Sequence, residues 1–353
     1  YDAWWKARNT RNFVNHIPEG TATLVVGGLF DAEDCFGAWR LYGAIEKSAK
    51  NNNKLVMGPW SHGQWASNDG TKLGNVKFGS NTSQWFQNQI EIPFFNYYLK
   101  DKGSVQTLPE ATIFFSGENK WRTFDHWPPT NSSSTPIYLQ ANGKLNWSKS
   151  VAKESFSEYI SDPSRPVPFT EHANLPRTNA YMTEDQRFAS RRADVLVFQT
   201  DVLTEDVTLA GTVVADLLTK ISTTDADFVV KLIDVFPELP NAKQEQTAMD
   251  SYQMLVRGEI MRGRYRKSFE SPVAFVPNQI DHVKFELPDV AHTFQKGHRL
   301  MIQIQSSWFP LADRNPQKFV NIYSANENDF QKANVKIYHD SNNSSQILLP
   351  ILK

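Results

Sequence analysis

The chain has 353 residues, with 37 Lys and Arg against 38 Asp and Glu and a formal net charge of -1. It therefore carries no long-range field of the kind that gathers phosphates, which argues against nucleic acid and anionic membrane surfaces as partners. Cys35 is the only cysteine, which excludes an internal disulfide framework and a cysteine-based zinc site.

Apolar residues make up 40 % and aromatics 12 % of the chain, a composition that packs into globular domains rather than staying disordered. No apolar run approaches the roughly 18 residues of a membrane span. At this length two domains are expected. The opening YDAWWKARNTRNF reads as an amphipathic helix without the features of a signal peptide. It reads as the middle of something, so the expectation is that residue 1 is not the biological start.

Thr21 to Val26 is a β-branched apolar run, suited to a strand buried on both faces. A helix is expected over Glu33 to Lys50, with Phe36, Trp39, Tyr42 and Ile45 near helical spacing and Lys47 and Lys50 in its last turn. Lys54 to Met57 is a second strand, and the three form a βαβ unit with parallel strands. A further amphipathic helix spans Ser83 to Leu99. After Lys100 the pattern changes to short alternating runs, among them Ala111 to Phe115, Ile137 to Leu139, Val207 to Leu209, Thr212 to Leu218, Phe228 to Val235 and His282 to Phe285. Many short strands at such spacing predict a β-sandwich or jelly roll. Ser155 to Arg192 is a long polar connection of the kind that is functional or wraps a neighbouring surface. The domains expected are residues 1–105, α/β, and 106–353, all-β.

In an open parallel sheet, ligands bind beyond the carboxyl ends of the strands. Asp31 falls a few positions past the first strand, and His62, in MGPWSHGQW, a few positions past the second. An Asp that fixes the tautomer of a His acting as general base is two thirds of a Ser-His-Asp triad, and acid before histidine is the order of α/β-hydrolases. Their serine precedes both, on a Gly-x-Ser-x-Gly elbow. No such elbow exists in these residues: Ser61 lacks the flanking glycines, and Ser80 and Ser116 lack a strand-turn-helix context. The nucleophile is therefore expected upstream of residue 1. Each residue also has a plain structural reading. Glu33 and Asp34 are placed to satisfy a helix N-terminus, His62 could be a packed histidine, and Trp60 and Trp65 are either core or pocket wall. His126, His172, His292 and His298 show no metal-ligand spacing.

At GGLFDAEDCFGAW and GPWSHG the sequence strongly resembles the cocaine-esterase-like acyl hydrolases, a group that includes X-Pro dipeptidyl-peptidases, cephalosporin acylases and α-amino acid ester hydrolases. The resemblance continues through DADFVVKLIDVFP, MLVRGEIMRGRYR and QIQSSWFPLADRNP. It implies the C-terminal half of an α/β-hydrolase fold followed by a jelly-roll β-sandwich, with Asp31 as triad acid and His62 as triad base. The Asp-x-Glu-Asp spacing resembles that of the α-amino acid ester hydrolases, which implies that Glu33 and Asp34 help to bind the α-ammonium group of the substrate. Trp60 and Trp65 join them as substrate-binding candidates. A serine acyl hydrolase of α-amino acid esters or β-lactam amides is thereby implied, incomplete and inactive as it stands, with no cofactor and no metal. Its partner is a small ester or amide with a free α-amino group, with no nucleic acid and no membrane, and a homo-oligomer remains open. A periplasmic or secreted location is expected. The alternatives are an X-Pro dipeptidyl-peptidase or general carboxylesterase of the same family and, from another class, a carbohydrate-binding or structural jelly-roll module.

Overall fold

A computed structural model describes residues 1–104, 108–172, 177–239 and 249–353. The first sheet has four strands in the order β1-β2-β5-β6. Strands β1 (Thr23–Gly28) and β2 (Asn53–Gly58) run parallel, pairing from Thr23 with Asn53 through to Gly28 with Gly58. The crossover is the helix Cys35–Ser48, which buries Cys35, Ala38, Trp39, Tyr42 and Ile45, a stripe at helical spacing. Phe36, expected on that stripe, points outward. The helix begins two residues later than expected because the backbone amides of Glu33 and Asp34 are held by the Asp31 carboxylate in a turn.

A small hairpin of β3 (Lys72–Leu73) and β4 (Val76–Lys77) follows. The expected helix is then found from Thr82 to Lys100, interrupted by a π-helical turn at Gln87–Glu91. Pro93 stands just after that turn and has no N–H to continue an α-helical ladder. Strand β5 (Ala111–Phe115) pairs parallel with β2, and β6 (Lys120–Phe124) pairs antiparallel with β5. The sequence groups Ala111 to Phe115 with the later short strands; the structure places it in the first sheet instead. All five of its residues are buried, as they must be in a parallel strand covered on both faces. The domain junction expected at residues 105–106 lies outside the described residues, as do residues 173–176 of the long connection.

The second sheet has eleven strands: β7 (Ser132–Gln140), β8 (Lys144–Asn146), β9 (Phe156–Ser161), β10 (Leu196–Gln199), β11 (Val207–Ile221), β12 (Asp227–Val235), β13 (Gln253–Arg262), β14 (Ile280–Phe294), β15 (Arg299–Gln305), β16 (Ala333–Tyr338) and β17 (Gln346–Leu352). The two runs expected at residues 207–209 and 212–218 are one strand, β11, carrying a bulge between Gly211 and Val213. The run at residues 282–285 is the middle of β14, a fifteen-residue strand paired along β11. Strand β9 occupies part of the supposed irregular connection and pairs with β16.

The sheets share one core. Phe30, Trp39, Phe115 and Trp127 from the first part pack with Val229, Met254, Ala291 and Trp308 from the second. A separate core lies within the second sheet, around Leu217, Leu232, Ile304 and Val335. Two strands of the second sheet, β13 and β14, thereby come to lie beside the carboxyl ends of β1 and β2.

Candidate functional site

The loops after β1 and β2 remain tied to each other beyond their strands. Leu29 N–H donates to Gly58 O at 2.8 Å and Phe30 N–H to Trp60 O at 3.0 Å. So close an approach requires glycine: a Cβ on Gly28 would lie 2.1 Å from the Trp60 carbonyl oxygen, and one on Gly58 2.4 Å from the Trp60 indole. This pairing brings Asp31 and His62 together, three and four residues past their strands.

Asp31 is buried, 2 % exposed. Its Oδ1 accepts from the amides of Glu33 at 2.8 Å and Asp34 at 3.0 Å, while Oδ2 lies 3.0 Å from His62 Nδ1. The carboxylate is thus fixed on one side by backbone and presents its other oxygen to the imidazole. His62 is about half exposed, and its Nε2 bonds to none of the described residues. The hydrogen bond to Asp31, then the charge of Asp31, hold the His62 pKa above its ordinary value, with smaller contributions from Glu33 and Asp34. A histidine held by Nδ1 to a buried carboxylate, with Nε2 free, has the arrangement of a general base with its orienting acid.

The other expected residues separate. Asp34 is largely exposed, and its Oδ2 lies 3.5 Å from His62 Nδ1. Although it precedes the helix, its side chain makes no capping bond. Glu33 is ion-paired with Arg177, so its charge is already met. Trp65 is partly buried and its ring packs against Trp60. Trp60 is no pocket wall: it is fully buried, its Nε1 donates to Thr82 Oγ1 at 2.9 Å, and its ring packs against Trp65, Phe86 and Trp121. As a substrate-binding residue it is corrected to core. Asp31, Asp34 and His62 offer one ligand atom each within 4.8 Å of one another, the reach of a cation site, but Asp31 and His62 are already bonded to each other there.

A cleft of about 260 Å³ is lined by Asp31 and Glu33 together with Tyr181, Trp308 and Glu259. Nothing in the sequence pattern pointed to Glu259, since it lies on β13 in the second sheet.

A second Ser, His and Asp set is present that the sequence spacing did not reveal. Ser116 Oγ lies 2.8 Å from His292 Nδ1, His292 Nε2 lies 3.1 Å from Asp234 Oδ2, and Asp234 Oδ1 lies 2.8 Å from His298 Nδ1. All four residues are buried; Ser116 follows β5 of the first sheet, Asp234 and His292 stand on β12 and β14 of the second, and His298 lies in the turn between β14 and β15. The ladder continues in the backbone, with Thr293 N–H donating to Ser116 O at 2.8 Å. Shut off from solvent, this relay fastens the two sheets. Ser61, next to His62, is also buried and bonded to Gln64 Oε1.

Residues 103–348 match the family model of the X-Pro dipeptidyl-peptidase C-terminal non-catalytic domain, and residues 1–64 match that of X-Pro dipeptidyl-peptidase, S15 family. Among curated proteins, the chain is 30 % identical over 344 residues to a cocaine esterase of Rhodococcus sp. strain MB1 Bresler, covering 94 % of this chain and 57 % of the relative. Among solved structures, it resembles an aminopeptidase from a marine sediment Thaumarchaeota archaeon, with TM-score 0.94, 37 % identity and coverage of 100 % of this chain and 58 % of the other. It also resembles an α-amino acid ester hydrolase, with TM-score 0.93, 40 % identity and coverage of 99 % and 59 %. The chain therefore spans less than two thirds of each of these proteins.

Proposed function

The chain belongs to the cocaine esterase and X-Pro dipeptidyl-peptidase superfamily, and from that premise we propose that it supplies the acid–base pair of a serine acyl hydrolase acting on α-amino acid esters or amides. The carrying observation is the 3.0 Å contact between His62 Nδ1 and buried Asp31, whose other oxygen is fixed by two backbone amides. In this reading the four-stranded sheet is half of an α/β-hydrolase domain and the eleven-stranded part is its jelly roll. The nucleophilic serine comes from chain outside these 353 residues. His62 Nε2 takes the hydroxyl proton as the serine attacks the acyl carbon, Asp31 stabilises the imidazolium, and His62 returns the proton to the leaving group. Water then hydrolyses the acyl-enzyme by the same proton route.

The acid-rich surroundings favour a substrate with a free α-amine. An ammonium drawn out of water needs nearby negative charge, and Asp34 stands within reach of the base with its carboxylate exposed. Glu33 can join only where the substrate competes with Arg177. Two of the solved structures that this chain resembles are an aminopeptidase and an α-amino acid ester hydrolase, which supports the same class. The test is a comparison of free and N-acetylated amino acid esters with the complete enzyme. Turnover confined to the free amine, and lost in His62→Ala, is expected; equal turnover of the acetylated ester would refute the amine reading. Turnover of an X-Pro anilide in preference to single amino acid esters would favour the dipeptidyl-peptidase alternative.

A further inference from the structure

The cleft that begins at Asp31 and Glu33 has walls of mostly apolar character, formed by Tyr181, Met182, Trp308 and Leu311, and it reaches Glu259. Gly258 permits this shape, since Trp308 packs so closely over it that a Cβ there would fall 2.7 Å from the indole. Glu259 is the uncommitted charge of the cleft. Its Oε1 accepts the amide of Ile260 at 2.8 Å, and Oε2 has no hydrogen-bond partner among the described residues. The nearest cation on its strand, Arg257, donates instead to Leu29 O at 2.6 Å and Asp289 O at 3.0 Å. Glu33, also in the lining, is neutralised by Arg177. Burial holds the Glu259 carboxyl above its usual range, partly offset by the Ile260 amide and the charge of Arg257. A half-buried carboxylate without a donor lacks a partner that a ligand can supply.

A mostly apolar cleft with such a carboxylate in its lining fits one ligand shape well: an aliphatic stem that carries a cation at its tip. We propose that Glu259 is a specificity-determining residue for the reaction inferred above, and that it selects aminoacyl groups whose side chains end in an ammonium or guanidinium. The methylenes lie along Tyr181 and Trp308, and the terminal N–H groups donate to Glu259 Oε2. This assignment rests on the reading of the site as one for α-amino acyl substrates, and it adds the side chain that such a site prefers.

Equilibrium binding of three amides to this chain separates the two claims, because binding needs no nucleophile. Lysinamide and norleucinamide differ in the terminal ammonium; norleucinamide and hexanamide differ in the α-amine. Lysinamide should bind about tenfold or more tighter than norleucinamide, as expected of a charge-assisted hydrogen bond in a shielded site, and Glu259→Gln should abolish that preference. Equal binding of lysinamide and norleucinamide, or a preference that survives Glu259→Gln, overturns the role of Glu259 and leaves the α-amine reading intact. Hexanamide binding as tightly as norleucinamide overturns the α-amine reading, and the inference falls with it; so does failure of all three to bind. If Glu259→Gln does not fold, Glu259→Asp, which withdraws the carboxylate by one methylene, should reduce the preference in the same way.

Discussion

Asp31→Asn is nearly isosteric, yet the structure dictates which way the new amide turns. The Oδ1 position faces the N–H groups of Glu33 and Asp34. Placing the NH2 there would leave both donors without an acceptor, at about 1–3 kcal/mol each, or about 2–6 kcal/mol together. Even about 2 kcal/mol restricts that rotamer to roughly one molecule in thirty. The amide oxygen therefore stays with the backbone, and the NH2 points at His62 Nδ1. A donor there forces the imidazole proton onto Nε2, the atom that accepts the serine proton in the proposed mechanism. In the complete enzyme, activity should fall by about 10⁴-fold, the scale seen when a triad acid is made an amide. The tautomer itself is measurable in the present chain by nitrogen NMR of His62. The wild type should carry its proton on Nδ1 and titrate above the ordinary histidine value, whereas Asp31→Asn should carry it on Nε2 and titrate lower. An unchanged tautomer and titration in Asp31→Asn would refute the reasoning, and would point to Asp34, 3.5 Å from the same nitrogen, as the acid that orients it.

Trp60→Ala should cost about 3–5 kcal/mol in urea unfolding, the range for a fully buried large aromatic, and should do so without removing a ligand contact. Ser116→Ala strips His292 Nδ1 of its partner inside the inter-sheet relay and should cost about 1–3 kcal/mol, measured in the same way. Lys231 is fully buried, with Nζ donating to Gln186 Oε1 at 2.9 Å, and burial pushes its pKa down from 10.5 to about 7, partly offset by the charge of Glu184. Between these two values the unfolded chain holds a proton that the folded chain has released, so the lysine makes stability rise with pH across that window, by up to about 1.4 kcal/mol per pH unit. Urea unfolding of Lys231→Met at pH 7.5 and 9.5 should lack this rise; parallel profiles for the variant and wild type would refute it.

The part of the site that the sequence displayed is the part built from local chemistry. Two glycine-terminated apolar strands with an amphipathic helix between them predict a βαβ unit, and ligand chemistry beyond its strand ends places Asp31 and His62 side by side without reference to the rest of the chain. The fate of Trp60 was hidden because an indole beside a histidine reads the same whether it faces a ligand or the core. Only the helix at residues 82–86 and strand β6, which cover it, decide the matter. The Ser116 relay and Glu259 were hidden for a different reason. Ser116 and His292 lie 176 residues apart, and Glu259 shares its cleft with Asp31 and Glu33 of the first part; such contacts come from the packing of the second sheet on the first, and no periodicity within one strand carries that information. Strand β5 was misplaced because a short, fully apolar run is compatible with either sheet, and only its parallel pairing with β2 assigns it to the first.

The central claim is that His62 and Asp31 serve a serine carried outside these residues. It is tested most directly by intact mass after treatment with a serine-directed phosphonate, first on this 353-residue chain and then on a chain extended upstream. The account predicts no adduct on the first, because Ser61 and Ser116 are buried and bonded, and a single adduct on the second that is lost in His62→Ala. A stoichiometric adduct on the 353-residue chain alone would contradict it.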